Sequence, residues 1–129
     1  MKAPINAEIF EGEMATFWFD EDDILYAIGK NIPRNVSNQA ADFAFIKEIS
    51  GNKKICMLSD ATSSSPQDRE VRDYIAAEMP NIFKAMAVVS TSVVGKFIVN
   101  LFLVIKKQPV PIKMFSNESN AKEWLKNYL

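Results

Sequence analysis

The fold of this chain is decided by the stretch at residues 54–65, which reads KICMLSDATSSS. Its first six residues form a short, nearly continuous apolar run, which is typical of a central strand buried on both faces of a parallel sheet. The run ends in a polar loop that begins at Asp60 and holds four consecutive hydroxyl residues. We therefore expect a strand whose carboxyl end opens into a polar loop.

A helix is predicted directly after this loop. Pro66 suits the first position of a helix, and Ser65 suits the N-cap before it. Asp68 completes an approximate capping box and favours the positive end of the helix dipole. Pro80 is expected to end the helix. Apolar residues recur at helical spacing between these limits, namely Val71, Tyr74, Ile75 and Met79.

A β-hairpin is predicted near the start of the chain. Residues 14–19 and 24–28 are rich in aromatic and β-branched residues, and the acidic segment 20–23 between them is typical of a solvated turn. Gly29 is expected to end the second strand. The hairpin therefore supplies two antiparallel strands before the central strand.

A helix is predicted between the hairpin and the central strand. Asn35 or Ser37 would cap its first turn, and Gly51 would stop it after about Ser50. The core face of this helix is expected to comprise Val36, Ala40, Phe43, Ala44 and Ile46.

Two strands and two helices are predicted after residue 80. Residues 85–90 and 112–115 have strand patterns, and Ser116 or Asn117 would open a final helix. The 13 residues at 93–105 form the most apolar segment of the chain and are expected to form a helix. This helix would be too short to span a bilayer, which needs roughly 20 residues. The final helix carries apolar residues at helical spacing, namely Ala121, Trp124, Leu125, Tyr128 and Leu129.

The order of these elements predicts the fold class. Strands that alternate with helices after an opening hairpin imply an α/β fold with a mixed, mostly parallel sheet covered by about four helices. A chain of 129 residues is expected to form one domain over 1–129. Residues 1–13 are expected to be irregular or to add an extra strand.

This order resembles the STAS, or SpoIIAA-like, domains over roughly residues 14–129. The local match is to a bacterial branch of uncharacterised STAS-like proteins, in which a proline-flanked strand ends in Phe and runs into a helix with an Ala-x-x-Trp-Leu motif. The acidic hairpin from Phe17 to Tyr26 is also typical of that branch. The motif residues here are Pro109, Pro111, Phe115, Ala121, Trp124 and Leu125. The resemblance implies a SpoIIAA-like fold and a regulatory, protein-interaction function.

The resemblance also implies a phospho-switch. In phosphorylatable members, a strand ends at an Asp and the switch Ser or Thr stands at the start of the next helix, where unpaired N–H groups favour an anion. The loop here departs from the family pattern because it has no glycine, and an ordinary N-cap explains the same residues. The phospho-switch or anion-binding candidates are Asp60, Thr62, Ser63, Ser64, Ser65 and Arg69. Arg69 and Arg72 could bind a phosphate or form exposed pairs with neighbouring acids.

The apolar segment 93–105 has more apolar residues than one buried face requires. A second subunit, a lipophilic ligand or the C-terminal helix of the same chain could cover the surplus, and we expect a homodimer before a ligand. The interface or lipophilic-ligand candidates are Val94, Phe97, Ile98, Leu101, Phe102 and Ile105.

Composition disfavours most enzyme chemistries. The chain has no histidine, the commonest general base and metal ligand, and its single Cys56 permits neither an intramolecular disulfide nor a multi-Cys zinc cluster. The acidic turn lacks the glycine and the distal glutamate of an EF-hand loop. We therefore expect no catalytic residues, no metal and no cofactor, and a buried structural thiol at Cys56.

The net charge of −1 hides an uneven distribution. Residues 1–28 carry a net −6 and residues 84–129 a net +5, so the two ends either contact another molecule or neighbour each other within one fold. The second is our default. No signal peptide, transmembrane segment or nucleic-acid patch is evident, so we predict a cytoplasmic, non-enzymatic STAS-like regulatory or interaction module, with lipophilic ligand binding as the alternative.

Overall fold

A computed structural model of the chain describes residues 1–65, 67–91 and 109–129. These residues contain a six-stranded sheet whose strands lie side by side in chain order. The strands are β1 Phe10–Glu11, β2 Ala15–Phe19, β3 Leu25–Gly29, β4 Ile55–Asp60, β5 Phe83–Val89 and β6 Ile112–Phe115. The first three strands pair antiparallel and the last four pair parallel, which confirms the predicted mixed α/β sheet opened by a hairpin.

Three helices are present in the described part of the chain. They are α1 Val36–Ile49, α2 Arg69–Ile82 and α3 Glu118–Leu125, and a single 3-10 turn follows α3 at Lys126–Tyr128. The predicted helix over residues 93–105 lies outside the described residues. None of the three helices is long and apolar enough to cross a membrane.

The helices divide the core into two layers. Helices α1 and α2 pack against each other and, through Phe43, Ile46 and Ile75, against one face of the sheet. Helix α3 packs Ala121 and Leu125 on the other face, which holds Trp18, Tyr26 and Leu58. Because β3, β4 and β5 are parallel neighbours, crossovers of the same hand place α1 and α2 on the same side.

Helix α2 begins later than predicted. Asp68 is its N-cap and accepts a hydrogen bond from the backbone N–H of Val71 at 2.9 Å. Ser65 is not the cap, since its hydroxyl donates to Oδ1 of Asn31 at 2.9 Å. The sequence favoured Asp68 near the helix start because its negative charge complements the positive end of the helix dipole. The same charge favours Asp68 as the N-cap itself.

Helix α2 also ends later than predicted, because it continues through Pro80 to Ile82. Met79 and Ile82 are both buried, and the N–H of Phe83 closes the helix on the carbonyl of Met79. Pro80 stands in the last turn, where its missing N–H removes one hydrogen bond that burial of the flanking residues offsets.

The core face of α1 is rotated relative to the prediction. Phe43 and Ile46 are buried as expected, but Ala44 is exposed and Gln39 is 2% exposed. Asn35, one of the two predicted caps, is the N-cap of this helix and forms a reciprocal capping box with Asn38. The rotation brings a polar residue, Gln39, onto the face that meets the sheet.

The acidic hairpin turn lies against the basic C-terminal helix. Nζ of Lys122 is 3.1 Å from Oδ2 of Asp20, 2.6 Å from Oε1 of Glu21 and 3.6 Å from Oδ2 of Asp22. The hydrogen bond from Lys122 lowers the pKa of Glu21 and is the main cause that raises the pKa of Lys122. The opposite charges of the two ends are thus neighbours within one fold, and Glu21, Asp22 and Asp23 stay exposed, as expected of a solvated turn.

The start of α2 can be tested by removing each candidate cap. Asp68→Ala is expected to lower the free energy of unfolding by about 1 kcal/mol, because it leaves the N–H of Val71 without an acceptor. Ser65→Ala removes the predicted cap and serves as the matched variant, with an expected change below about 0.5 kcal/mol. Urea denaturation measures both values, and a larger loss in Ser65→Ala than in Asp68→Ala would contradict this helix boundary.

Candidate functional site

A cavity lies between the sheet, α1 and α2, and small side chains on the sheet form its floor. Ala15, Ala27, Gly29 and Ser59 line it from three adjacent strands. The strand register places Ala15 beside Gly29 and Ala27 beside Ser59. Because residues two apart on a strand share a face, these four positions form one patch without bulky side chains.

The walls of the cavity are apolar, and its volume is about 180 Å³. The apolar lining comes from the sheet and from both helices, namely Phe17, Phe43, Met57, Ile75, Met79 and Met86. A dry cavity of roughly 150 Å³ with a similar lining is large enough to bind benzene. The space therefore fits a molecule of about the size of one substituted aromatic ring.

One end of the cavity is polar. Ser64, Ser65 and Gln67 reach it from the loop after β4, while Arg34 and Arg72 reach it from the segment before α1 and from the first turn of α2. The carboxyl ends of β3 and β4 meet the amino ends of both helices here. This is the edge at which open α/β sheets hold their ligands.

Arg34 brings a partly buried guanidinium to this polar end. Its Nη1 donates to Oε1 of Gln39 at 2.7 Å, while its buried Nε has no acceptor among the described residues. Burial lowers the pKa of Arg34 and the charge of Asp42 opposes that shift. An arginine nevertheless keeps its charge in proteins, so the Nε–H is a charged donor with no partner.

Asp42 lines the same cavity and lies on α1 one turn after Gln39. Burial raises its pKa from the ordinary 3.8 to about 6, the charge of Arg34 opposes this shift, and Glu13 adds to it. Its Oδ1 is buried and has no hydrogen-bond partner among the described residues. Arg34 and Asp42 thus each present an unsatisfied polar atom, which is the exception rather than the rule in protein interiors.

The hydroxyl loop lies at the cavity, but its residues divide between two environments. Ser64 and Ser65 line the polar end, whereas Thr62 and Ser63 are exposed. Asp60 is at the last position of β4, and its Oδ1 accepts from the backbone N–H of Thr62 at 3.0 Å.

Thr62 and Asp60 also hold the loop to other segments. Oγ1 of Thr62 accepts from the N–H of Thr91 at 3.2 Å, and Oδ2 of Asp60 lies 3.6 Å from the amino group of Met1. Because α2 begins at Arg69, residues 62–65 do not lie in its first turn, and anion binding at these residues stays a prediction. Phosphorylation of this loop stays a prediction.

Gly29 allows the loop to approach the sheet. A Cβ at this position would collide with Oγ of Ser64, and the carbonyl oxygen of Asp60 would be 3.3 Å away. The absence of a side chain at Gly29 thus leaves room for the Ser64 hydroxyl beside the end of β3.

The two arginines of α2 have different surroundings. Arg69 has a side chain that is 88% exposed, and its Nε lies 3.9 Å from Oδ2 of Asp73. It does not line the cavity, whereas Arg72 does. An exposed pair of this kind contributes little to stability. Arg69 thus forms the exposed ion pair that the sequence analysis gave as the alternative to phosphate binding.

The remaining candidates have different outcomes. The proposed interface residues lie outside the described residues, so the homodimer stays a prediction, as does a ligand against that segment; they are Val94, Phe97, Ile98, Leu101, Phe102 and Ile105. Cys56 is 2% exposed, and burial raises the pKa of its thiol, in agreement with a structural role. Asp20, Glu21 and Asp22 cluster closely enough to hold a cation, but the cation among them is Lys122.

Sequence reasoning missed Arg34, Gln39 and Asp42 as site residues. Gln39, Phe43 and Ile46 follow helical spacing, so the sequence pattern already indicates a polar side chain, Gln39, on the core face of α1. The other signal was the alternation of small residues along β3, at Ala27 and Gly29.

The comparisons with known proteins concern the fold. A family model described as a domain of unknown function (DUF7793) matches residues 17–129. The crystal structure of an uncharacterised protein of the DUF3478 family from Shewanella loihica PV-4, described as having a SpoIIAA-like fold, has 15% identity and a TM-score of 0.51 and covers 97% of this chain and 98% of that chain. This likeness establishes the SpoIIAA-like fold that the sequence predicted.

A second solved structure and the curated proteins add nothing to this assignment. A protein of unknown function from Arthrobacter sp. FB24 is 21% identical over 96% of both chains, with a TM-score of 0.28. A comparison with curated proteins found no match.

The buried carboxyl group of Asp42 predicts a pH dependence of stability. The pKa of Asp42 is raised in the folded state, so between about pH 4 and pH 6 the folded protein keeps a proton on Asp42 that the unfolded chain has lost. The free energy of unfolding therefore falls as pH rises through this window. Asp42→Asn is expected to remove this fall and to raise the free energy of unfolding at pH 7.5 by about 1–2 kcal/mol, after allowance for partial exposure.

Urea denaturation at pH 4 and pH 7.5 measures the effect. Glu48→Gln, which changes an exposed carboxylate of the same helix, is the matched control. Equal differences between Asp42→Asn and the wild type at both pH values would contradict the raised pKa.

Proposed function

The chain belongs to the family described as a domain of unknown function (DUF7793), and we propose that it is a non-enzymatic STAS-like module that binds a small, largely apolar molecule. The observation that carries this proposal is the cavity of about 180 Å³ between the sheet, α1 and α2. Ligand pockets are typically apolar spaces with a few convergent polar groups, and this cavity has that composition. The SpoIIAA-like fold alone would not select such a function, because a fold hosts many functions.

A binding function accounts for the polar groups better than catalysis does. The chain has no histidine, and the hydroxyl of Ser65 donates to Asn31 rather than to a general base. An activated nucleophile requires an adjacent base that accepts its proton. The cavity thus supports recognition of a bound molecule without a paired nucleophile and base.

The regulatory role implied by the family resemblance fits this binding site. Ser64 and Ser65 line the cavity, while Thr62 and Ser63 of the same loop face solvent. A bound molecule would therefore contact a loop whose other side is available to a partner protein. We propose that ligand occupancy controls this loop surface, in a protein that acts in the cytoplasm.

Methionine methyl groups provide a direct test of the cavity. Met57, Met79 and Met86 line it, whereas the other three of the six methionines do not. With methyl-labelled protein, NMR titration with toluene at on the order of 1 mM is expected to shift the three lining methyl resonances, because an aromatic ring packed against them changes their shielding. The resonances of Met1, Met14 and Met114 are expected to stay in place.

Ala27→Leu is the variant that should abolish these shifts, since it places a larger side chain on the cavity floor. Ala44→Leu makes the same change on the exposed side of α1 and is the matched control. No shift in the wild type, or equal shifts in wild type and Ala27→Leu, would rule out binding in this cavity.

A further inference from the structure

Arg34 points to the chemical class of the bound molecule, and this inference rests on the proposed binding function. Its Nη1 is committed to Gln39 at 2.7 Å, but its buried Nε has no acceptor among the described residues. The Nε–Nη2 edge of a guanidinium is one of the two edges that pair with a carboxylate through parallel hydrogen bonds. We propose that the ligand is a small apolar monocarboxylate whose carboxylate is bound by Arg34 at the polar end of the cavity.

The charges around the cavity favour a single negative charge. Arg34 and Arg72 contribute two positive charges, and the ionised form of Asp42 contributes one negative charge. The described part of the lining then carries one positive charge in excess, which complements a monoanion. A buried charge is costly unless it is paired, so the excess itself favours an anionic ligand.

The size of the cavity limits the rest of the molecule. About 180 Å³ accommodates one aromatic ring or a short alkyl chain beside the carboxylate, and Phe43, Met57 and Met79 would contact that apolar part. Benzoate meets both requirements, and benzamide is its uncharged counterpart of nearly equal shape. The pair therefore separates recognition of charge from recognition of shape.

Isothermal titration calorimetry of the full chain with benzoate and benzamide tests the proposal. The wild type is expected to bind benzoate about 10-fold or more tightly, because a charge-assisted pair replaces a neutral hydrogen bond. Arg34→Gln is expected to remove this preference, while Arg69→Gln, an exposed arginine outside the cavity, is expected to keep it.

Toluene binding, followed by the methionine resonances, reports whether each variant keeps its cavity. Arg34→Lys gives a second variant, which retains the charge and loses the bidentate geometry. It is expected to bind benzoate more weakly than the wild type and toluene equally well.

The outcomes distinguish this inference from the function on which it rests. If toluene binds and benzoate binds no better than benzamide, the carboxylate proposal is overturned and the binding function stands. If the preference for benzoate survives in Arg34→Gln, the anion binds elsewhere and the proposal is likewise overturned. If the wild type binds neither toluene nor benzoate, both fail.

Asp42 supplies an independent arm of the test. Arg34 and Glu13 are the charged groups that perturb it, and its ionised form would repel a carboxylate held by Arg34. Benzoate affinity is therefore expected to rise several-fold from pH 7.5 to pH 5.5, over which range benzoate stays ionised. The dependence should vanish in Asp42→Asn and persist in Glu13→Gln, and a pH-independent affinity in the wild type would overturn the assigned carboxylate position.

Discussion

The lack of bulky side chains at the carboxyl ends of β3 and β4 is the constraint on which the rest of the site depends. Ala27, Gly29 and Ser59 leave space above the sheet that Leu25 and Met57 fill one step lower on the same face. Helices α1 and α2 flank this space on the same face of the sheet. Helix and sheet faces normally pack closely, so an apolar recess of this size between them is a departure from ordinary packing.

The same end of the sheet carries a second departure from ordinary interiors. Arg34 Nε and Asp42 Oδ1 are buried without partners among the described residues, and burial holds the Asp42 carboxyl partly in its neutral form near pH 6. Local rules are most often broken at functional sites, where a ligand supplies the missing interactions. An apolar recess and an unpaired guanidinium donor at one place are explained together by one bound anionic molecule.

The sequence predicted the architecture well because its signals are local and repeated. The apolar run at Ile55, the hairpin around the acidic turn and the Asn35 cap each specify their own element. The site was predicted less well because it depends on tertiary contacts. The rotation of α1 that buries Gln39 and the late start of α2 at Asp68 follow from packing between elements, and neither could be derived from a single segment.

Binding of a carboxylate by the Arg34 Nε–H, as proposed for the cavity, can be observed directly in the NMR signals of the arginine side chains. The chain has three arginines, at positions 34, 69 and 72, so the spectrum of their Nε–H groups is simple to assign. In an NMR titration with benzoate, the Arg34 Nε–H proton is expected to shift downfield, while the Arg69 signal stays unchanged. An unshifted Arg34 signal at a benzoate concentration that saturates the methionine shifts would contradict it.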